Sequence, residues 1–152
     1  MEENLLSQSQ NPELSPKNFL GIKILTVHHD EGGRTAELLR TDWKDILEDE
    51  IQQVYLSISK PGVIRAWHRH TRGQVDYLVV IKGEIELWIK PRWEDEKIIL
   101  KLDCFEPKLV RVPGHYYHGT KNIGDKESWV LYFLNKLYDY DSPDEERVEY
   151  KE

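Results

Sequence analysis

The sequence predicts an all-β fold, a sandwich or barrel built from many short strands. From residue 51 onward, runs rich in β-branched and aromatic residues alternate with turn signals such as Pro-Gly, Lys-Gly and Ile-Gly-Asp-Lys. This spacing favours an all-β sandwich or barrel over parallel strands joined by helices. The chain has 152 residues, of which 39% are apolar and 11% aromatic, enough for one domain with a substantial core.

Two regions precede the strand-rich part. Residues 1–18 carry Asn, Gln, Ser and two Pro without periodicity, so we expect a flexible arm ahead of a single domain at residues 19–152. Residues 21–29, GIKILTVHH, alternate as a strand, and DEGGRT then turns the chain. In TDWKDILEDE, residues 41–50, apolar side chains recur at helical spacing behind a Thr or Asp cap, which predicts one short amphipathic helix.

Seven further strands are predicted after residue 50. They are IQQVYLSIS (51–59), VIRAWHRH (63–70), VDYLVVI (75–81), EIELWIK (84–90), KIILKL (97–102), KLVRVP (108–113) and SWVLYFLN (128–135). Each run is short and is bounded by turn residues, as expected for antiparallel strands.

Charge and cysteine content exclude several classes of function. The net charge of −7, from 28 acidic and 21 basic residues, repels nucleic acid and anionic membranes, so an anionic ligand needs a local basic pocket. The single cysteine, Cys104, permits neither an internal disulfide nor a thiolate zinc cluster. The first residues lack an apolar signal core, and no apolar run approaches about 18 residues. We therefore expect a soluble, cytoplasmic protein.

Two histidines one residue apart stand out in the predicted strand at 63–70. On a regular strand His68 and His70 share a face, and Arg65 points to the opposite one. Asp76 on the next strand is a candidate neighbour, and VPGHYYHGTKN later supplies His118. The pattern is compatible with a proton-transfer site, with half of a metal site, or with ordinary polar strand positions.

The spacing of these residues resembles the two motifs of the cupin superfamily. The first motif is matched by Gly62, His68, His70, Asp76 and Gly83, with Asp where Glu is usual. The second is matched by Pro113, His118 and Asn122. The resemblance implies a double-stranded β-helix, the jelly-roll barrel of the cupins, which agrees with the strand pattern.

Within that superfamily, residues 21–150 are similar to the dTDP-4-dehydrorhamnose 3,5-epimerases and related dTDP-sugar isomerases. The segments that carry the resemblance are QVYLSISKPGVIRAWH, GQVDYLVVIKGEIELWI, VPGHYYHGT and DYDSPDEERVEY. The resemblance implies proton transfer α to the 4-keto group of a nucleotide-linked deoxysugar, with no cofactor. It also implies a homodimer formed through strands near the N-terminus.

The resemblance assigns roles to individual residues. His68 would be the general base, because a neutral imidazole can accept and return a proton, and Arg65 would hold the diphosphate. Contacts to the nucleotide or sugar, or a place in the pocket wall, are implied for Gln53, Gln74, Glu37 and His118.

The chain departs from the epimerases at two catalytic positions. Asp76 stands where they have a Lys that would stabilise an enolate oxygen, and Asn135 stands where they have a catalytic Tyr, for which Tyr132 or Tyr138 could substitute. The related 3,4-ketoisomerases have an R-G-x-H-A-H segment that R-A-W-H-R-H resembles. That template gives His70 a role as partner of the base.

Two alternatives remain open. His68, His70, Asp76 and His118 form a donor set suited to one divalent transition metal, which would support a metal-dependent oxygenase or isomerase. A cupin that binds a sugar or nucleotide without catalysis is the other alternative.

Overall fold

Twelve β-strands run through residues 19–152, the part of the chain that this computed structural model describes. Their bounds are β1 Gly21–Ile24, β2 Val27–Asp30, β3 Gly33–Ala36, β4 Gln53–Ser59, β5 Ile64–Arg69, β6 Asp76–Lys82, β7 Glu84–Lys90, β8 Ile98–Asp103, β9 Lys108–Val112, β10 Tyr117–Asn122, β11 Ser128–Leu134 and β12 Glu146–Arg147. The all-β prediction is confirmed. Residues 1–18, the predicted arm, lie outside the described residues.

The strands form two five-stranded antiparallel sheets and one hairpin. One sheet has the order β1-β9-β6-β11-β4, the other has the order β12-β5-β10-β7-β8, and β2 pairs with β3. Alternate residues of both sheets point inward into one buried core, which includes Leu78, Val110 and Val130 from the first sheet and Leu87 and Leu102 from the second. The two sheets do not join into a closed barrel, and β4 and β12 are edge strands.

The predicted strands after residue 50 are all present, with bounds that agree within three residues. The run at 21–29 is divided into β1 and β2, and between them the backbone N–H of Leu25 donates to the carbonyl of Pro107, one position beyond the β1–β9 ladder in the same register. Three strands, β3, β10 and β12, were not predicted. Strand β10 escapes a periodicity argument because its sequence, YHGTKN, is almost entirely polar although nearly all of it is buried, so it shows no alternation of apolar and polar residues.

The predicted helix at residues 41–50 is wrong. These residues form consecutive turns, in which Leu47 makes a helical hydrogen bond to Trp43 but its neighbours do not continue the pattern. The burial of Ile46 and Leu47 nevertheless follows the expected apolar face. Acidic residues at the end of the segment oppose a helix dipole, and one turn does not repay the cost of nucleation.

The turns are instead anchored by a buried charge. Asp49 accepts from Nε of the fully buried Arg111 at 3.2 Å and from the hydroxyl of Tyr77 at 2.6 Å. The Tyr77 hydroxyl also accepts from Arg111 at 3.0 Å. This triad attaches the loop to strands β6 and β9. Residues 19–152 contain no helix of the length and apolarity needed to cross a membrane.

Candidate active site

A bulge in β5 changes the face on which Arg65 lies. Against β10, His68 pairs with His118 and Arg65 pairs with Thr120. A step of three residues along β5 therefore matches a step of two residues along β10. Because cross-strand partners share a face, Arg65 and His68 point to the same side. The expectation that Arg65 faces away from His68 is therefore wrong: the extra residue in the ladder turns the guanidinium into the site.

Gly119 makes this bulge possible. A Cβ atom at position 119 would lie 2.6 Å from the carbonyl oxygen of Arg65 and 2.7 Å from Cα of Ala66, distances that real side chains do not tolerate. The glycine of the His-Gly-Thr segment thus allows β5 and β10 to approach closely at the point where the register shifts.

Three histidines and one carboxylate meet between the two sheets. Nε2 of His70 lies 3.3 Å and Nε2 of His118 lies 3.2 Å from the same oxygen of Asp76. The ring of His68 lies 4.2 Å from that of His118, centroid to centroid. One ligand atom from each of the four residues falls within 4.8 Å of every other. The four residues that the sequence singled out as a metal set are therefore clustered.

The hydrogen bonds of the rings direct one nitrogen of His70 and one of His118 toward Asp76. Nδ1 of His70 donates to the carbonyl of Asp144 at 2.5 Å, and Nδ1 of His118 donates to the carbonyl of Tyr116 at 2.8 Å. Both Nε2 atoms then face Asp76, and a carboxylate only accepts hydrogen bonds. A second ring proton or a metal cation satisfies the contacts with Asp76, and the amide nitrogen of Gln74, 3.4 Å from Nε2 of His70, can instead donate to that ring.

The surroundings of His68, Asp76 and His70 shift the pKa values of these three side chains in different directions. Burial and the neighbouring His118 lower the pKa of His68 to about 2, so that ring is neutral at physiological pH. Burial alone would raise the pKa of Asp76, but hydrogen bonds from His118 and His70 outweigh it and hold that pKa well below its usual range. Burial opposes protonation of His70, but its contacts with Asp76 raise the pKa of that ring overall.

A cleft of about 640 Å³ lies between β4 and β12, which are one edge strand of each sheet, and His68 and Arg65 line it. It contains Tyr55, whose ring stacks on that of Tyr132 with centroids 4.7 Å apart and planes 4° apart. A second cavity, of about 310 Å³, shares His68 and Tyr55 with the cleft and reaches Asp76. His68 and His70 therefore border spaces that a ligand can enter, whereas the buried His118 lines neither of them.

The other residues chosen from the sequence divide into two groups. Gln53, Gln74 and Tyr138 line the second cavity, where Gln74 donates to Asp76 at 2.9 Å and Gln53 accepts from the backbone N–H of Tyr138 at 2.8 Å. Glu37 lies outside both cavities and pairs with Arg40 at 3.0 Å. Asn135 accepts from the backbone N–H of Val75 and donates to the carbonyl of Gly73, so it fixes a loop.

Three residues of the site were missed from the sequence. Asp144 accepts from the backbone N–H groups of Thr71, Arg72 and Gln74, and its carbonyl holds His70. Tyr55 and Arg147 line both cavities beside His68. Asp144 and Arg147 lie more than 70 residues from the histidines they meet, so a local pattern cannot reveal them.

Comparison with known protein families identifies the family of this chain. The model of the polysaccharide biosynthesis C-terminal domain matches residues 28–146, most of the chain. The chain belongs to this family. A relative in Haloferax volcanii, the probable low-salt glycan biosynthesis epimerase Agl13, is 40% identical over 85% of each chain. The spore coat polysaccharide biosynthesis protein SpsL of Bacillus subtilis is 33% identical over 84% of this chain and 85% of its own.

Solved structures of dTDP-sugar epimerases and isomerases share the fold of this chain. The dTDP-4-dehydrorhamnose 3,5-epimerase of Bacillus anthracis superposes with a TM-score of 0.75 over 88% of this chain and 81% of its own, at 18% identity. A dTDP sugar isomerase from Desulfovibrio desulfuricans gives a TM-score of 0.74 over 86% and 83%, at 20% identity. At these identities the structures establish the fold alone.

Proposed function

We propose that this family member is a nucleotide-sugar epimerase or ketoisomerase that transfers a proton α to a 4-keto group. The observation that carries the proposal is the bulge in β5, which presents a neutral imidazole, His68, and a guanidinium, Arg65, to one cleft. An anionic ligand and a proton acceptor are thus brought together in a protein whose overall charge is −7. The kinship with the probable epimerase Agl13 supports the same chemistry.

In the proposed mechanism Arg65 holds the diphosphate. Its Nε donates to the hydroxyl of Ser59 at 2.9 Å, and one terminal nitrogen donates to the carbonyl of Ile58 at 3.2 Å. These contacts fix the plane of the guanidinium against β4. A planar, permanently charged group held in this way suits the paired oxygens of a diphosphate.

His68 takes the proton from the carbon next to the keto group, and the C–H electrons form the enolate. Burial and the neighbouring His118 lower the pKa of His68, and the negative charge of a bound diphosphate counteracts that effect, which makes the ring a better base once substrate is present. In a ketoisomerase the proton returns to the former keto carbon, while the hydroxyl of the deprotonated carbon loses its proton and the former keto oxygen gains one, so that the keto group moves by one carbon. In an epimerase a group on the opposite face supplies the proton.

The enolate oxygen needs a hydrogen-bond donor, because Asp76 cannot supply one in its ionised form. Tyr132 is buried beside the hydroxyl of Thr120. Burial, and to a smaller extent the negative charge of Asp76, raise the pKa of its phenol. The phenol therefore stays protonated and able to donate. Tyr138, at the rim of the second cavity, is the alternative donor.

The cluster of His68, His70, Asp76 and His118 supports a second candidate, a metal-dependent cupin isomerase or oxygenase. The donor set fits a divalent transition metal, since the rings offer neutral nitrogens and the carboxylate offers a charged oxygen within 4.8 Å. A metal there would supply a Lewis acid at the keto oxygen. Metal content, measured by mass spectrometry after purification without chelator, should be about one ion per chain and fall in His70→Ala if this candidate is correct.

We also propose that the protein is a homodimer. Strands β1 and β4 are the two edges of one sheet, and both expose apolar side chains to solvent. These are Ile22, Ile24, Val54, Leu56 and Ile58. Exposed apolar edge strands are normally covered by another chain. Light scattering should give twice the mass of one chain, and a monomer would overturn this part of the proposal.

Hydrogen exchange in D₂O tests the proposed activity. Nucleotide-linked 4-keto-6-deoxyhexoses should gain deuterium at carbons next to the keto group when enzyme is added, and mass spectrometry with NMR assigns the position. Exchange with inversion indicates an epimerase, and migration of the keto group indicates a ketoisomerase. Ligand binding without exchange would contradict the catalytic proposal and support a binding-only cupin.

A further inference from the structure

Strand β12 places a second guanidinium next to His68. In the pairing of β12 with β5, Arg147 lies opposite His68 and Glu146 lies opposite Arg69. Cross-strand partners share a face, so Arg147 points to the cleft side while Glu146 and Arg69 point away from it. Consistent with this register, Arg147 and His68 line both the cleft and the second cavity.

The backbone that carries Arg147 is firmly held. Trp67 and Val148 exchange two backbone hydrogen bonds of 2.9 Å immediately beyond it. On the outer face, Glu146 accepts two hydrogen bonds of 3.1 Å from Arg69. A group fixed at its backbone loses less conformational entropy when it binds a ligand than one on a loose tail.

The side chain itself is available to a ligand. Arg147 contacts Glu145 through one nitrogen at 3.1 Å, and its side chain is 78% exposed. Such an exposed pair contributes little to stability, because solvent screens it. Arg65 faces the same cleft, so two cations flank one opening. The cleft wall also contains Glu145 and Glu149, so the two guanidiniums are the anion-binding groups of a cleft whose formal charges balance.

We propose that Arg147 is a second binding residue for the diphosphate, acting with Arg65 across the mouth of the cleft. This inference rests on the proposed function, whose substrate carries a diphosphate. Two guanidiniums can pair with oxygens on both phosphorus atoms, so the site distinguishes a diphosphate-linked sugar from a free sugar or a monophosphate. In this arrangement Glu145 is a competing anion that the ligand displaces from Arg147.

Calorimetric titration of the full chain with dTDP, UDP and inorganic pyrophosphate tests the inference. Arg147→Gln should weaken binding of the diphosphate that the wild type prefers by roughly 10- to 100-fold, as expected for loss of a charge-assisted hydrogen bond. Glu145→Gln should tighten it, because the competing carboxylate is gone. Arg40→Gln is the matched control: it removes an exposed Arg–Glu pair outside both cavities and should leave the affinity unchanged.

The outcomes separate this inference from the proposed function. If the wild type binds a diphosphate and Arg147→Gln binds it equally well, the role of Arg147 is refuted and the proposed function stands. If the wild type binds none of the three probes, both are refuted. Should Arg147→Gln fold poorly, Glu145→Gln decides the question: unchanged or weaker binding in that variant contradicts the competition on which the inference depends.

Discussion

Replacing Gly119 by Ala should disable the site by displacing β5. Ordinary van der Waals contact begins at 3.4 Å, and the new Cβ would start 2.6 Å from the carbonyl oxygen of Arg65, so that carbonyl has to retreat by about 0.8 Å. Overpacking of this kind costs about 1–3 kcal/mol of unfolding free energy. A misplacement near 1 Å in a catalytic site costs about 10²-fold in rate.

Urea denaturation and solvent-deuterium exchange measure the two effects separately. The matched control is Gly124→Ala, whose Cβ would meet the flexible side chain of Glu84 at 3.3 Å and should change neither quantity much. Adding Ala66→Gly to Gly119→Ala removes one of the clashing methyl groups and should restore part of the stability. A Gly119→Ala protein with wild-type stability and exchange would refute the assigned role of the bulge.

Three other substitutions test the structure around the site. Asp144→Ala removes the acceptor of three backbone N–H groups and should lower the unfolding free energy by roughly 2–4 kcal/mol in urea denaturation. Arg111→Met leaves Asp49 without its buried cation and should cost about 3 kcal/mol in the same assay, and a neutral effect would contradict the anchoring triad. Leu56→Glu places a charge on the exposed edge of β4 and should convert a dimer to a monomer in light scattering, with no loss of folded circular dichroism.

Much of the fold could be predicted because the local sequence determines where most strands begin and end. The run EIELWIK coincides with β7, and the turn residues on either side set its ends. The segment at 41–50 could not be predicted in this way, because its conformation depends on Arg111, a residue about 60 positions later that draws Asp49 into a turn. The apolar pattern there correctly identified buried residues and misidentified the backbone that buries them.

The site was predictable in composition and less so in geometry. His68, His70, Asp76 and His118 were identified from spacing, and they do meet. The orientation of Arg65 was predicted wrongly, because a bulge is specified by the close approach at Gly119 on another strand. The contribution of β12 was invisible for a similar reason: the register of Arg147 is decided by its pairing partner.

Asp76 has a place in both candidate mechanisms. Its carboxylate fixes the rings of His70 and His118 in the absence of a metal, and it completes a four-residue donor set in the presence of one. Both candidates use the same cleft, which His68 and Arg65 line. They differ in what neutralises charge on the keto oxygen.

The central claim is that His68 moves a proton at a carbon next to a keto group. The most direct measurement is the rate of deuterium incorporation from D₂O into a nucleotide-linked 4-keto-6-deoxyhexose, for the wild type and for His68→Asn. We expect measurable exchange in the wild type and a loss of at least about 10²-fold in His68→Asn, the low end of what general acid–base catalysis contributes. Wild-type exchange by a folded His68→Asn protein would contradict the account.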